Sequence, residues 1–199
     1  MFFNRIWGLY TQPKIQWHRV DSQHDSLNYS LTHLALIALI PAISAYFSLA
    51  HLGWNLGSNS NEAIFFSPAQ ALGLAVILYV GLVAGVFALA YLIFWMARTF
   101  GASPNFSHSI ELAAYAATPL FMAGLVLFYP KLIVVMVVGL AGLAYSTYLL
   151  HSGIPIVMRI PPERGFIYAM SVITGAWVLL LCAIVAAIML WSWGFMYMM

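Results

Sequence analysis

The hydrophobic positions of this chain fall into five long stretches that carry almost no charge. They run from about 31 to 52, 68 to 97, 108 to 129, 132 to 150 and 166 to 193. Since about 20 consecutive apolar residues can cross the hydrocarbon core of a bilayer as a helix, each stretch predicts a membrane span. The pattern therefore predicts an all-α membrane protein, a five-transmembrane-helix bundle over residues 31–199, preceded by a mixed N-terminal segment, residues 1–30.

The third stretch is the one around which we expect the others to be arranged. Four of its polar residues are spaced three, four and three apart and so share one helix face: His108, Glu111, Tyr115 and Thr118. Pro119 has no N–H to donate to the carbonyl four residues back, which frees that carbonyl on the same side. Pro119, and Pro41 in the first span, are the predicted helix kinks.

Glycines predict where helices approach one another. Gly81 and Gly85 form a small-xxx-small pair in the second span, and Gly139 and Gly142 occupy the fourth. Such positions let a neighbouring helix come close. We expect these four glycines to be helix-packing positions that help to seal the bundle.

Composition agrees with lipid as the solvent for most of the chain. It is 64% hydrophobic and 6% charged, whereas soluble domains carry about 25% charged residues. The net charge of +2 is too small to indicate a nucleic-acid partner. A single cysteine, Cys182, excludes an intrachain disulfide.

The distribution of basic residues predicts the orientation. With the N-terminus inside, the inner segments hold six cations and the outer segments hold only Lys131; the six are Arg5, Lys14, Arg19, Arg98, Arg159 and Arg164. Cytosolic loops carry the excess of Lys and Arg, so the prediction is a cytosolic N-terminus and an extracytoplasmic C-terminus. In that frame the polar groups of the spans converge on the cytosolic third of the bundle.

Two segments are predicted to build the cytosolic face. Residues 1–30 interleave aromatic and basic side chains, which suits the headgroup layer; the interfacial candidates are Trp7, Tyr10 and Trp17. The alternative is a tail packed under the bundle, and the sequence leaves both open. Residues 151–165 contain three prolines, so we expect a loop whose apolar part, 154–158, grazes the membrane surface.

The polar cluster admits three interpretations; its candidate residues are Glu111, His108, His33, Arg98, Tyr115 and His151. An ionisable group within a span is costly unless it is paired, protonated or faces a cavity. Glu111 could pair with Arg98 or His108 and fix how helices dock. It could instead act in a proton or ion relay with His108 and Tyr115.

The third interpretation is a metal site. His33, His108 and Glu111, with His24 or His151, offer suitable ligand atoms but match no compact motif. Signatures such as HExxH and GxSxG are absent. We therefore expect no enzyme and no cofactor, with a divalent metal as the alternative.

Six segments spread over nearly the whole chain carry a resemblance to a known family: WGLYTQPKIQW, IPAI, LGWNLG, FWMAR, AAYAATPLF and LHSGIP. With these segments the chain resembles the Yip family, the Ypt/Rab-interacting proteins with a Yip-one domain, in its bacterial inner-membrane branch. In AAYAATPLF, Tyr115 and Pro119 match the tyrosine-to-proline motif of the family's third helix. The resemblance implies five spans and a cytosolic N-terminus.

The resemblance does not supply a partner. Eukaryotic relatives act in vesicle traffic with Rab GTPases, which bacteria lack, and the aspartate-leucine-x-glycine-proline motif of those relatives is missing here. We expect a non-enzymatic inner-membrane scaffold or adaptor that engages lipids, membrane proteins or a second copy of itself at its cytosolic face. The alternative is a small-solute, ion or metal transporter that uses the His/Glu cluster.

Overall fold

The computed structural model describes residues 8–23, 27–54, 65–102 and 105–196. Within these ranges the chain is helical and forms no strand. We number the helices α1 Pro13–Gln23, α2 Leu27–Phe47, α3 Pro68–Ala97, α4 Phe106–Ala123, α5 Leu132–Val157 and α6 Pro162–Met196. A π-helical turn, Ser48–Leu52, extends α2, and a 3₁₀ turn, Gly124–Phe128, extends α4. The five helices α2 to α6 are each long and apolar enough to cross a membrane, which confirms the predicted number of spans.

Local sequence signals explain where the helices begin. The Ser67 hydroxyl accepts the N–H of Gln70, and the Gln70 side chain accepts the N–H of Ser67. This reciprocal cap, followed by Pro68 in the first turn, starts α3 at the predicted residue. The Asn105 side chain accepts the N–H of Ser107 at 3.0 Å and caps α4 in the same way.

α4 is the central helix of the bundle, as the sequence predicted. Every residue from Ser109 to Pro119 is buried, and α4 packs against α2, α3 and α5. In the most apolar window of α4, 61% of the residues are buried, against 6 to 11% for α3, α5 and α6. The outer helices therefore present most of their surface to lipid, and α6 packs on α3 and α5.

The two helices with predicted kinks, α2 and α4, continue through their prolines. α2 runs past Pro41, and α4 runs past Pro119 before it tightens into the 3₁₀ turn at Gly124. Ser146 of α5 accepts the N–H of Leu120 at 3.2 Å, so a neighbouring helix satisfies a backbone group beside the proline. A Cβ on Gly124 would lie 2.5 Å from the Pro41 Cβ, so only glycine permits this contact of α2 with the end of α4.

The prediction of a loop at 151–165 was wrong. α5 continues to Val157 with Pro155 inside it, and only Met158 to Pro161 separates it from α6. The apolar part does not graze the membrane surface, because Ile154 and Val157 are buried in the core. Their burial, and the packing of the Pro155 ring against Gly165, outweigh the cost of a proline within a helix.

The predicted glycine positions divide into two groups. Gly142 is a close-packing position, because an added Cβ would lie 2.8 Å from the Ala123 Cβ. Gly81, Gly85 and Gly139 are not: within the described part of the chain nothing lies within 4 Å of the Cβ each would carry. These three face outward on helices that are exposed over most of their surface, so they do not seal this bundle.

The two glycines of α5 form a matched pair for a stability test. We expect Gly142→Ala to destabilise the protein by about 1 to 3 kcal/mol, because the new methyl group meets α4 backbone atoms that cannot move aside. Gly139→Ala enters open space and should be neutral or stabilising by up to about 1 kcal/mol. Thermal unfolding in one detergent measures both, and equal melting temperatures would contradict this packing.

Candidate functional site

The centre of the candidate site is a buried contact between α2 and α4. The His33 Nε2 lies 3.0 Å from the Thr118 Oγ1, and both side chains are almost completely inaccessible. The ring of Tyr115 lies against the imidazole at a centroid separation of 4.7 Å. The first span is thereby joined to the polar face of the central helix.

The Thr118 hydroxyl has two hydrogen-bond partners in the core. It lies 3.1 Å from the Ala114 carbonyl oxygen and 3.0 Å from the His33 Nε2. When its one proton goes to the carbonyl, its oxygen accepts from His33 in the Nε2–H tautomer; in the other tautomer it donates to His33. Either way the hydroxyl joins the imidazole to the backbone of α4.

Glu111 lies one helical turn before Tyr115 and is 3% exposed. It is therefore enclosed by protein and not by lipid, the arrangement expected of a carboxylate within a span. Successive turns of α4 present Glu111, Tyr115 and Thr118, and His33 contacts the last two. The predicted stripe thus lies within the core, and His108, at its start, is half-buried.

Two other residues that were predicted to belong to the polar cluster lie away from it. Arg98 is exposed at the end of α3, and among the described residues no ion pair joins it to Glu111. His151 is half-buried on α5, and its ring meets the edge of Phe166 at 5.6 Å. The described contacts of the candidate cluster therefore join His33 to Tyr115 and Thr118, and Glu111 and His108 lie one and two turns before Tyr115 on the same helix face.

The metal interpretation gains no support from the geometry. Over the described ranges, no three His, Cys, Asp or Glu side chains are grouped so as to hold a metal ion. His33 contacts the Thr118 end of the stripe, more than a turn beyond Glu111. His24, the further candidate ligand, lies outside the described residues.

The N-terminal helix α1 docks across one end of the bundle. Trp17 is fully buried, and its indole N–H donates to the Ser152 hydroxyl at 3.2 Å. A Cβ on Gly153 would lie 2.8 Å from the Trp17 ring, so this glycine makes room for the indole. The interfacial prediction for Trp17 was wrong, because the ring finds its apolar surroundings and its polar partner inside the protein.

Tyr10 remains partly at the surface. It is 42% exposed, and its ring stacks on Tyr145 of α5 at 5.4 Å. The Tyr145 hydroxyl donates to the Leu9 carbonyl at 2.9 Å. Partial burial, and then the neighbouring Tyr145, raise the pKa of Tyr10 above its ordinary value, so Tyr10 is neutral at physiological pH. Trp7, the third interfacial candidate, lies outside the described residues.

An ion pair holds the far end of α1. The Arg159 Nε lies 3.0 Å from the Asp21 Oδ1. Arg159 adopts a left-handed backbone conformation, φ 52°, within the short turn between α5 and α6. Proximity in sequence could not predict this pair, since 138 residues separate its members.

A bundle of five membrane-length helices with α4 buried at its centre, and an N-terminal helix docked across one end, define a multi-pass membrane protein. Residues 7–184 match the model of the Yip1 domain, and the chain belongs to the Yip1 domain family. The resemblance inferred from the sequence is thereby confirmed.

Two curated relatives carry the name inner membrane protein YohC. They come from Escherichia coli strains K12 and O6:H1 CFT073, and each is 32% identical to this chain over 193 residues. The matched region covers 96% of this chain and 98% of each relative. No solved structure matches. These similarities and the five apolar helices make the chain a multi-pass protein of the inner membrane.

The His33–Thr118 contact predicts a specific loss of stability. Thr118→Val keeps the shape of the side chain but leaves the His33 Nε2 without its hydrogen-bond partner, which should cost about 1 to 2 kcal/mol. Thr118→Ser keeps the hydroxyl and is the matched control. In thermal unfolding, the melting temperature of the serine variant should be higher than that of the valine variant. The reverse order would show that the hydroxyl does not matter.

Proposed function

We propose that this chain is a non-enzymatic scaffold or adaptor that engages lipids or membrane-protein partners at the cytosolic end of its bundle. The observation that carries the proposal is the way α1 docks. One face of α1 is buried against α5, and the opposite face stays exposed with Lys14, Ile15, His18 and Arg19. A helix held rigidly by one face offers the other as a preformed surface.

The distribution of basic residues between the two ends of the bundle supports the orientation that we propose, with the N-terminus in the cytosol and the C-terminus in the periplasm. One end of the bundle carries most of the cations in the described ranges: Lys14, Arg19, Arg98, Arg159 and Arg164. The opposite end carries Lys131, which precedes α5 and whose charged form is favoured by a hydrogen bond with Tyr129 that raises its pKa. The basic end of an inner-membrane protein faces the cytosol.

A transporter is the second candidate, favoured by buried polar groups in both halves of α2. His33 lies in one half, and Ser44 and Ser48 are buried in the other. The contact of Pro41 with Gly124 separates the two sets and closes the space between α2 and α4. A groove of about 330 Å³ between α2 and α3 is lined by apolar side chains such as Tyr79, Val76 and Leu39, which does not suit a hydrated path.

The orientation can be tested with single cysteines in a Cys182→Ala background. We expect Lys131→Cys to react with a membrane-impermeant maleimide in spheroplasts, because this residue lies at the periplasmic end. Lys14→Cys should react only after the membrane is permeabilised. Labelling of Lys14→Cys in intact spheroplasts would overturn the proposed orientation.

Partner engagement can be tested by placing a photo-crosslinking amino acid on either face of α1 in native membranes. At Ile15, which is 50% exposed, we expect discrete adducts of reproducible mass. At Val20, which is 2% exposed, crosslinking should stay within the chain. Adducts of equal yield from both positions, or only intrachain products from Ile15, would contradict a scaffold that works through this face.

A further inference from the structure

The turn that ends α3 exposes an arginine at the rim of the bundle. Gly101 adopts a left-handed conformation, φ 77°, its N–H donates to the Arg98 carbonyl, and the Ala102 N–H donates to the Ala97 carbonyl. This glycine-terminated C-cap stops the helix just after Arg98. The Arg98 side chain is exposed.

A second arginine reaches the same turn from α6. The Arg164 Nη1 lies 3.6 Å from the position that a Cβ on Gly101 would take. The two helices are fixed to each other nearby, because Phe100 stacks on Tyr168 at 5.0 Å and the Tyr168 hydroxyl donates to the Ile93 carbonyl. Arg98 and Arg164 therefore flank one turn, which is held between α3 and α6.

Neither arginine forms an ion pair with a carboxylate in the described part of the chain. Glu163 precedes Arg164 and is also exposed, but consecutive helical residues point about 100° apart. Two cations beside one turn favour an anion, and the described residues do not supply one as an ion-pair partner.

The surroundings place this turn in the headgroup layer of the membrane. Trp95 lies one turn before Arg98 on α3 and is 65% exposed, and Phe106 and Phe166 beside the turn are 41% and 55% exposed. Exposed aromatic rings at the end of a membrane-spanning helix mark the boundary between acyl chains and headgroups. An anion bound here must tolerate apolar neighbours on one side, which a lipid does and a free phosphate does not.

We propose that Arg98 and Arg164 form a binding site for the phosphate of an anionic phospholipid headgroup. The guanidinium groups offer planar pairs of donors that match phosphate oxygens, and the exposed rings of Trp95 and Phe166 accommodate the upper acyl chains. This site is one of the lipid contacts of the proposed scaffold. Only its assignment to the cytosolic leaflet rests on the scaffold proposal.

Native mass spectrometry of the detergent-purified full chain tests the site directly. The protein is titrated with phosphatidylglycerol, and separately with phosphatidylcholine of the same acyl chains. We expect Arg98→Gln and Arg164→Gln each to weaken phosphatidylglycerol binding about fivefold, since a basic residue near an anionic membrane surface contributes about 1 kcal/mol. Phosphatidylcholine binding should not change.

Two control variants make the result specific. Arg159→Gln removes a cation from the same end of the bundle that is already paired with Asp21, and Lys131→Gln removes one from the opposite end; both should bind phosphatidylglycerol like wild type. An equal loss in Arg159→Gln, or no loss in the two site variants, would overturn the proposal. Unchanged melting temperatures verify that the site variants fold. The assay needs neither a protein partner nor a known orientation, so its outcome is independent of whether the scaffold proposal holds.

Discussion

The burial of α4 on all sides is the constraint on which the rest of the structure depends. A helix that reaches neither water nor headgroups along Ser109–Pro119 must have each polar group satisfied by neighbouring protein. His33 of α2 meets Thr118, and Ser146 of α5 meets the backbone beside Pro119. The outer helices are thus positioned by the polar requirements of the central one, because apolar contact alone does not distinguish a helix neighbour from lipid.

Much of the architecture could be predicted from the sequence, for a physical reason. A membrane span must satisfy its backbone internally and expose apolar side chains, so length and hydropathy mark it without knowledge of its neighbours. The same is true of helix beginnings such as Ser67–Pro68, where all the interacting groups are local. Pro155 was misjudged because the burial of Ile154 and Val157, which outweighs its cost, depends on contacts that are distant in sequence.

The candidate site was predictable in part. Spacing alone put Tyr115 and Thr118 on one face of α4, but it could not show which helix would cover that face or that His33 would be the residue to do so. Arg98 is close to Glu111 in sequence, and the left-handed turn at Gly101 leaves it outside the core. The prediction of glycine packing positions failed in part for a related reason. Gly142 and Gly139 have the same local chemistry, and only the position of α4 distinguishes them.

The docking of α1 on α5 has a consequence for how the protein is made. Trp17 leaves the ribosome well before its partner Ser152, which lies 135 residues later. At about 5 to 20 residues per second, synthesis separates the two by roughly 7 to 27 s. During that interval three spans enter the membrane while the indole has no surface to pack against. Helix α1 is therefore synthesised before all five spans and is one of the last segments to reach its final place.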